Sequence, residues 1–462
     1  MSGSIGTINL ISQPGDFETR YFIGNPDITF FKSVYRKHTN FSKYLKRERR
    51  SGVEAAPVRF SIQTGSDDLL SKVYLENKFT FTRTTESTGG TAAVTIFANL
   101  GSNMIDDNGD DSLAIDIGGN KGIFKSNGLF QEIKGELDNQ MSLTVAPGPA
   151  YYTQSPCLEL YGNNIISCKN GSHYNYTTLS GGVRGMELSN DDFANASSVI
   201  ETEYFYTIPE FSFMKDYGLS IPLLSLRNEH ITFNVKYQQF NKVFRLGENV
   251  TAKLESNFIQ ELIQLDTAEK SRFLTSQLTY LTENITQKDL IPDSLSLTPG
   301  KPANLEKIIT STFKLCKYLF LVGAPLDGNG SGSVASSHTT PQALNLSGLN
   351  IKLGGHSLYP GNDPMSAAIF TKLNINKYFI GCGRDLAESG SKSLGQLDSI
   401  AMIPFAIEPT NFTQPSGCVS TLGNSNSITI DIHRQNDNKF ILFAINYGIL
   451  QISDGKAQLQ YS

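Results

Sequence analysis

The sequence predicts an all-β protein with more than one sandwich or barrel. Three observations carry this. Segments such as Ile231-Thr232-Phe233-Asn234-Val235-Lys236-Tyr237 alternate apolar and polar residues without a break, the period of a half-buried strand. Turn clusters rich in Gly, Asn, Ser and Asp separate such segments. Charged residues make up 18% of the 462-residue chain, beside 40 Gly, 28 Phe and 19 Tyr, so there is ample apolar surface for more than one core. Many strands joined by Gly-rich turns point to sandwiches or barrels.

In chain order, Val73 to Leu75 and Phe440 to Ile445 read as fully buried strands. Phe79-Thr80-Phe81-Thr82 and Ile428-Thr429-Ile430-Asp431-Ile432 repeat the alternation seen from Ile231 to Tyr237. Turns are expected at Asp107-Asn108-Gly109, Asn127-Gly128, Ser180-Gly181-Gly182, Gly328-Asn329-Gly330, Gly354-Gly355 and Ser453-Asp454-Gly455. Two helical signals stand out. Asn25-Pro26-Asp27 combines a cap, a first-turn proline and an acid, and predicts a short helix over 26–37. Asp266-Thr267-Ala268-Glu269 offers a second cap, with an acid three residues on. The charged stretch 266–276 is expected to link two strand-rich halves. Residues 84–198, rich in Gly, Asn, Ser and Thr, read as long loops on the first half, and 323–348 as a briefer loop on the second.

Composition also excludes function classes. Thirty-nine basic against 44 acidic residues leave a net charge of −5, too little basic surplus for wrapping nucleic acid. Cys157, Cys168, Cys316, Cys382 and Cys418 show no C-x-x-C spacing, so no disulfide framework or zinc ribbon is indicated. Scattered thiols suit assembly in a reducing compartment. Met1-Ser2-Gly3 opens with neither the basic nor the apolar region of a signal peptide, nor a myristoylation motif. Tyr318 to Leu326 falls short of the roughly 18 apolar residues of a membrane-spanning helix.

The catalytic motifs G-x-S-x-G, H-E-x-x-H and G-x-x-x-x-G-K-[ST] do not occur. Gly381-Cys382-Gly383 begins like a dinucleotide fingerprint, but Leu386 stands where the third glycine belongs. The six histidines are dispersed, with no pair at ligand spacing. Asp106-Asp107-Asn108-Gly109-Asp110-Asp111 has its glycine at position four and Ile117 at twelve, the wrong frame for an EF-hand; a solvated turn is expected. No catalytic, cofactor or metal site is therefore assigned. N-x-[ST] sequons at Asn40, Asn249, Asn284 and elsewhere match what chance gives in an Asn-, Ser- and Thr-rich chain.

The clearest charge feature is a basic run. Lys32, Arg36, Lys37, Lys43, Lys46, Arg47, Arg49 and Arg50 fall within nineteen residues, opposed by Glu48. One reading is a solvated helix and an edge strand protected by cations. The other is a contact surface for acidic partners or anionic lipid. Direct nucleic-acid binding is not expected, since no stacking platform is interleaved.

Gly24-Asn25-Pro26-Asp27-Ile28-Thr29-Phe30-Phe31-Lys32-Ser33-Val34-Tyr35-Arg36-Lys37-His38-Thr39-Asn40-Phe41 resembles the amino-terminal signature of the major capsid proteins of large nucleocytoplasmic DNA viruses, with Lys37 in place of the usual second Arg. Three later stretches fit the family in order. Ile221-Pro222-Leu223-Leu224-Ser225-Leu226 precedes the alternating strand. Leu265-Asp266-Thr267-Ala268-Glu269-Lys270-Ser271-Arg272-Phe273 is similar to the family's linker. Gln414-Pro415-Ser416-Gly417 resembles its late P-S-G segment, although Cys418, Val419, Ser420 and Thr421 replace the Asn-Phe-Ser-Arg that often follows.

The resemblance implies two consecutive eight-stranded antiparallel jelly rolls with short helices and long loop insertions. An amino-terminal arm would span 1–24, the first jelly roll 25–265, the linker 266–276 and the second jelly roll 277–462. It also implies a non-enzymatic subunit forming homotrimeric, pseudo-hexagonal capsomers of an icosahedral virion shell, assembled in the host cytoplasm. The basic run would then face the virion interior, towards minor capsid proteins or an internal viral membrane. The signature residues are Gly24, Asn25, Pro26, Phe30, Phe31, Tyr35, His38, Asn40, Phe41, Pro415, Ser416 and Gly417. Two other readings remain: a carbohydrate-binding β-sandwich acting in attachment through its long loops, and a β-sandwich hydrolase with carboxylates paired in a cleft.

Overall fold

Strands make up most of the regular structure. The computed structural model describes residues 31–33, 35–53, 57–84, 94–96, 104–107, 109–131, 133, 157–161, 164–168, 187–188, 199–209, 211–247, 249–290, 303–309, 314–325, 346–353, 356–357, 374–378, 400–420, 428–434 and 438–461. The chain divides into two units, Met1–Asn40 and Phe41–Ser462. In the first, residues 31–33 make a turn and bend, and 35–40 have no regular structure. The helix expected over 26–37 is thus absent from this part; 26–30 and Val34 lie outside the described residues. Phe31 and Tyr35 are aromatic and costly in a helix, and so short an isolated helix is marginal in any case.

Among the described residues, eight strands of the first half form the main paths of two sheets, with a short strand, Ile221–Pro222, pairing beside one of them. The eight are β1 (Phe41–Val53), β2 (Val58–Ile62), β3 (Leu69–Arg83), β4 (Leu113–Ile117), β5 (Asn120–Ser126), β6 (Val199–Thr207), β7 (Ile231–Val235) and β8 (Val250–Leu265). One sheet runs β1-β8-β3-β6 and the other β2-β7-β4-β5, with antiparallel neighbours. The alternation of Ile231, Phe233 and Val235 with Thr232 and Asn234 emerges as a strict buried and half-buried pattern. Phe60 of β2 and Phe233 of β7 stack on Phe258 of β8, with ring centroids 5.1 and 4.8 Å away. That contact closes one sheet over the other, as in a sandwich.

The second half repeats this order. Its strands are β9 (Leu278–Leu290), β10 (Ala303–Ile309), β11 (Cys316–Pro325), β12 (Leu346–Leu353), β13 (His356–Ser357), β14 (Ile400–Pro404), β15 (Ile428–Arg434) and β16 (Asn438–Ser453). The sheets run β9-β16-β11-β14 and β10-β15-β12-β13, so adding eight to each label of the first half reproduces the second. Consecutive residues Phe440 to Ile445 are all buried. Since neighbouring side chains on a strand point to opposite faces, both faces of that sheet are covered. A final strand, β17 (Lys456–Tyr461), joins β16 through Asp454 (φ 53) and Gly455 (φ 80), the left-handed pair that a tight hairpin needs.

Between the halves lies helix α1 (Thr267–Thr275), where the sequence places the linker. Its cap is the expected one: the Ala268 amide donates to the Asp266 carboxylate at 2.7 Å. Two expectations need correction. Asn127-Gly128 is not a simple turn: residues 128–131 wind helically, and the Phe130 amide donates to Asn127 Oδ1 at 2.8 Å. The stretch 84–198 is not all loop, because it supplies β4 and β5, whose Ile115 and Phe124 belong to the first core. Leu113-Ala114-Ile115-Asp116-Ile117 is short and follows directly on the Asp-rich 106–111 turn, which hides it among turn residues. Residues 134–156 and 326–345 lie outside the described residues.

Candidate assembly surface

The basic run falls into two parts. Lys43, Lys46, Arg47, Arg49 and Arg50 stand on β1, the edge of its sheet. The structure gives most of them acids from within the chain. Lys46 lies 3.6 Å from Asp67, Arg49 2.5 Å from Glu255 and Arg50 2.9 Å from Glu48. Arg47 pairs with Glu76, a largely buried carboxylate that also accepts from Asn257 at 3.1 Å. Lys43 donates to the Tyr217 hydroxyl at 3.0 Å and sits 4.8 Å from its ring centroid. Tyr44, on the same strand, donates to Asp67; burial and that carboxylate push its hydroxyl up to about 12. The β1 cations thus belong largely to the fold, and their exposed pairs are each worth about 0–1 kcal/mol.

Lys32, Arg36 and Lys37 differ. All three are exposed, and none makes an ion pair among the described residues. Phe31 and Tyr35, from the same signature, are 100% and 89% exposed, so this segment presents aromatic and cationic side chains together. His38 and Asn40 are exposed as well, and Phe41 begins β1. Gly24, Asn25, Pro26 and Phe30 lie outside the described residues.

Pro415, Ser416 and Gly417 lie in the loop after β14. Ser416 Oγ accepts from the Glu408 amide at 2.8 Å, and the Ile407 amide donates to the Ser416 carbonyl at 3.4 Å. Gly417 has φ 138, and a Cβ there would lie 3.3 Å from the Phe405 carbonyl oxygen. The P-S-G segment therefore folds the loop back on itself; Val419 then pairs with Cys316 of β11, each amide donating at 2.8 Å. Its role is local closure, which explains why glycine is needed there.

The junction between the halves is the feature that sequence reasoning missed. Lys317, only 1% exposed, lies 2.5 Å from Glu283 of β9, and Lys215 of the first half lies 2.8 Å from the same carboxylate. Lys317 also donates to the Asn411 carbonyl at 2.7 Å. Burial alone would raise the Glu283 pKa; Lys215 and Lys317 outweigh it and hold the acid at about 2. Close by, Asn284 Nδ2 donates to the Ile123 carbonyl at 2.7 Å and its Oδ1 accepts from the Lys125 amide at 3.2 Å. Asn284 thereby satisfies the free edge of β5, and its sequon amide is already engaged. Apolar residues cross the junction both ways: Leu450, Ile452 and Ala457 join the first core, while Leu129, Phe130 and Ile133 join the second.

Among the described residues, no group of three or more His, Cys, Asp or Glu side chains converges as metal ligands. The carboxylates of the 106–111 turn are spread over separate partners: Gln238 to Asp107 at 2.9 Å, Lys125 to Asp110 at 3.5 Å and Lys236 to Asp111 at 2.6 Å.

Residues 29–272 match the family described as "Major capsid protein N-terminus". The major capsid protein of Pyramimonas orientalis virus is 24% identical over 457 residues, covering 96% of each chain. That of Paramecium bursaria Chlorella virus 1 is 21% identical over 497 aligned positions, again covering 96% of each. In three dimensions the chain resembles the subunit in the quasi-atomic model of the PBCV-1 virus capsid, with a TM-score of 0.59 at 17% identity, over 94% of this chain and 100% of the other. The Faustovirus major capsid protein gives 0.52 at 10% identity, over 92% and 93%. These folds agree with the double jelly roll expected from the sequence, and the chain belongs to the major capsid protein family.

Proposed function

We propose that the chain is the building subunit of an icosahedral virion shell, with three copies closing into one pseudo-hexagonal capsomer. The observation that carries this is the repeated strand order. Two like sandwiches per chain become six around a threefold axis, giving a nearly hexagonal outline that tiles a flat face. The buried junction supports the reading further, because a tiling unit needs its two halves at a fixed angle. Such a subunit acts by packing and requires no catalytic centre. Assembly in the host cytoplasm fits the scattered thiols. Light scattering on the purified protein tests the core of this reading: a mass near three times 50.7 kDa is expected, and a strict monomer would contradict it.

Contact with the virion interior falls to Lys32, Arg36 and Lys37 rather than to the self-paired cations of β1. Their partners are acidic minor capsid proteins or an anionic internal membrane, not nucleic acid. Changing these three to Glu should leave trimers intact and lower incorporation into particles. Incorporation equal to that of the unchanged protein would remove the role.

A further inference from the structure

The junction inside the chain has two sides. On one side stands β9, an edge strand of the second half. The Glu283 amide donates to Ser212 Oγ at 3.1 Å, Lys215 reaches the Glu283 carboxylate, and Thr282 is 1% exposed. On the other side the first half supplies the turn Ser212–Met214, which follows β6 and is buried throughout. Each of these surfaces has a counterpart in the other half, and both counterparts lie open. β1 holds in its sheet the place that β9 holds in the second, and both strands are 13 residues long. Yet Phe41 and Leu45 of β1 are 57% and 66% exposed, and among the described residues no strand pairs with its outer edge. The segment 405–409 after β14 holds the place of the turn after β6. There Ile407 is 78% exposed, and Glu408 is exposed beside it. Among the described residues the unit Phe41–Ser462 exposes seven large apolar side chains, and four of them, Phe41, Tyr44, Leu45 and Ile407, lie on these two surfaces. Singly scattered apolar residues are ordinary on a surface, whereas gathered ones mark a contact.

Building on the trimeric reading above, we propose that β1 of one copy docks against segment 405–409 of a second copy, as β9 docks on the first half within a chain. The two patches differ, so the contact is heterologous, and a rotation of one third of a turn closes it after three chains. The step from first half to second half within a chain and the step from second half to the next chain's first half are then alike. The apolar match sets Ile407 against Phe41 and Leu45. Charge fits as well, with the signs exchanged. Inside the chain a lysine of the turn, Lys215, meets an acid of the strand, Glu283. Between chains the segment brings the acid, Glu408, to a strand that carries five cations and one acid. Such complementarity sets register and excludes wrong partners more than it adds affinity. Because both patches are exposed within one chain, changes there act on assembly rather than on the chain's own fold.

The test uses the full-length chain with Cys418, an exposed native thiol, replaced by Ser. Two variants in this background, Leu45→Cys and Ile407→Cys, are mixed, allowed to assemble and treated with a short bismaleimide. Expected is a covalent pair of chains on a denaturing gel, with a peptide joining position 45 of one to position 407 of the other. Neither variant alone should give that peptide. As a second readout, Leu45→Glu and Ile407→Glu should each lower the solution mass from that of a trimer to the single chain's 50.7 kDa. Leu274→Glu, exposed on α1, should leave the trimer intact. Trimers that yield no such peptide, or that persist in both the Leu45→Glu and the Ile407→Glu variants, would overturn this interface and leave the trimeric reading standing. A strict monomer before any substitution would overturn both.

Discussion

Replacing Glu283 with Gln removes one charge from the junction while keeping the side chain's shape. Lys317, 1% exposed, and Lys215, 17% exposed, would then lose the carboxylate they share. Two routes give the size of the effect. A carboxylate held at about 2 rather than its ordinary 4.5 stabilises the folded state by about 3 kcal/mol at neutral pH. Removing one partner of a buried ion pair costs about 3–5 kcal/mol. At roughly 2–4 °C per kcal/mol for a domain the size of either half, Tm should fall by about 6–20 °C. The assay is a thermal melt at pH 7 and fixed protein concentration, which keeps assembly equal between variants. The pH dependence adds a second readout. Because the folded-state pKa is depressed, this stability is fully present above pH 4.5 and is lost as pH falls towards 2. The gap between the two proteins should therefore be constant above pH 4.5 and narrow below it. A Tm change under about 2 °C at pH 7, or a gap indifferent to pH, would refute the claim that this network holds the halves together.

Two further predictions concern the first half and the linker. Phe258→Ala empties the centre of a three-ring stack with Phe60 and Phe233 and should cost about 3–5 kcal/mol, whereas Ile407→Ala, at a position 78% exposed, should change the chain's own stability by no more than about 0.5 kcal/mol; chemical denaturation of the two variants side by side checks the contrast. Asp266→Ala removes the cap of α1 and should cost about 1 kcal/mol, visible as faster amide exchange across 267–270 with the sheets unchanged.

How far the sequence could be read follows from which interactions are local. Ile231 to Tyr237 was legible because a strand buried on one face writes its period into consecutive residues. Asp266 was legible because a cap acts over two or three positions. The P-S-G segment and the amino-terminal signature were legible as motifs, through family resemblance. What stayed hidden depends on distant partners. Arg49 and Glu255 are separated by 206 positions in the chain, so half of a run that looks uniformly basic in sequence is paired with acids in the fold. Glu283 carries no local sign that Lys215 and Lys317 will converge on it. β4 is harder to see for a different reason: its five residues follow directly on the Asp-rich 106–111 turn, inside a stretch otherwise dominated by Gly, Asn, Ser and Thr.

The central claim is that two like sandwiches per chain assemble in threes. Electron cryomicroscopy of the purified protein tests it most directly. The prediction is a threefold particle whose top view shows six lobes in a nearly hexagonal outline, two from each chain. Particles with one chain apiece, or assemblies in which each chain contributes a single lobe, would contradict it.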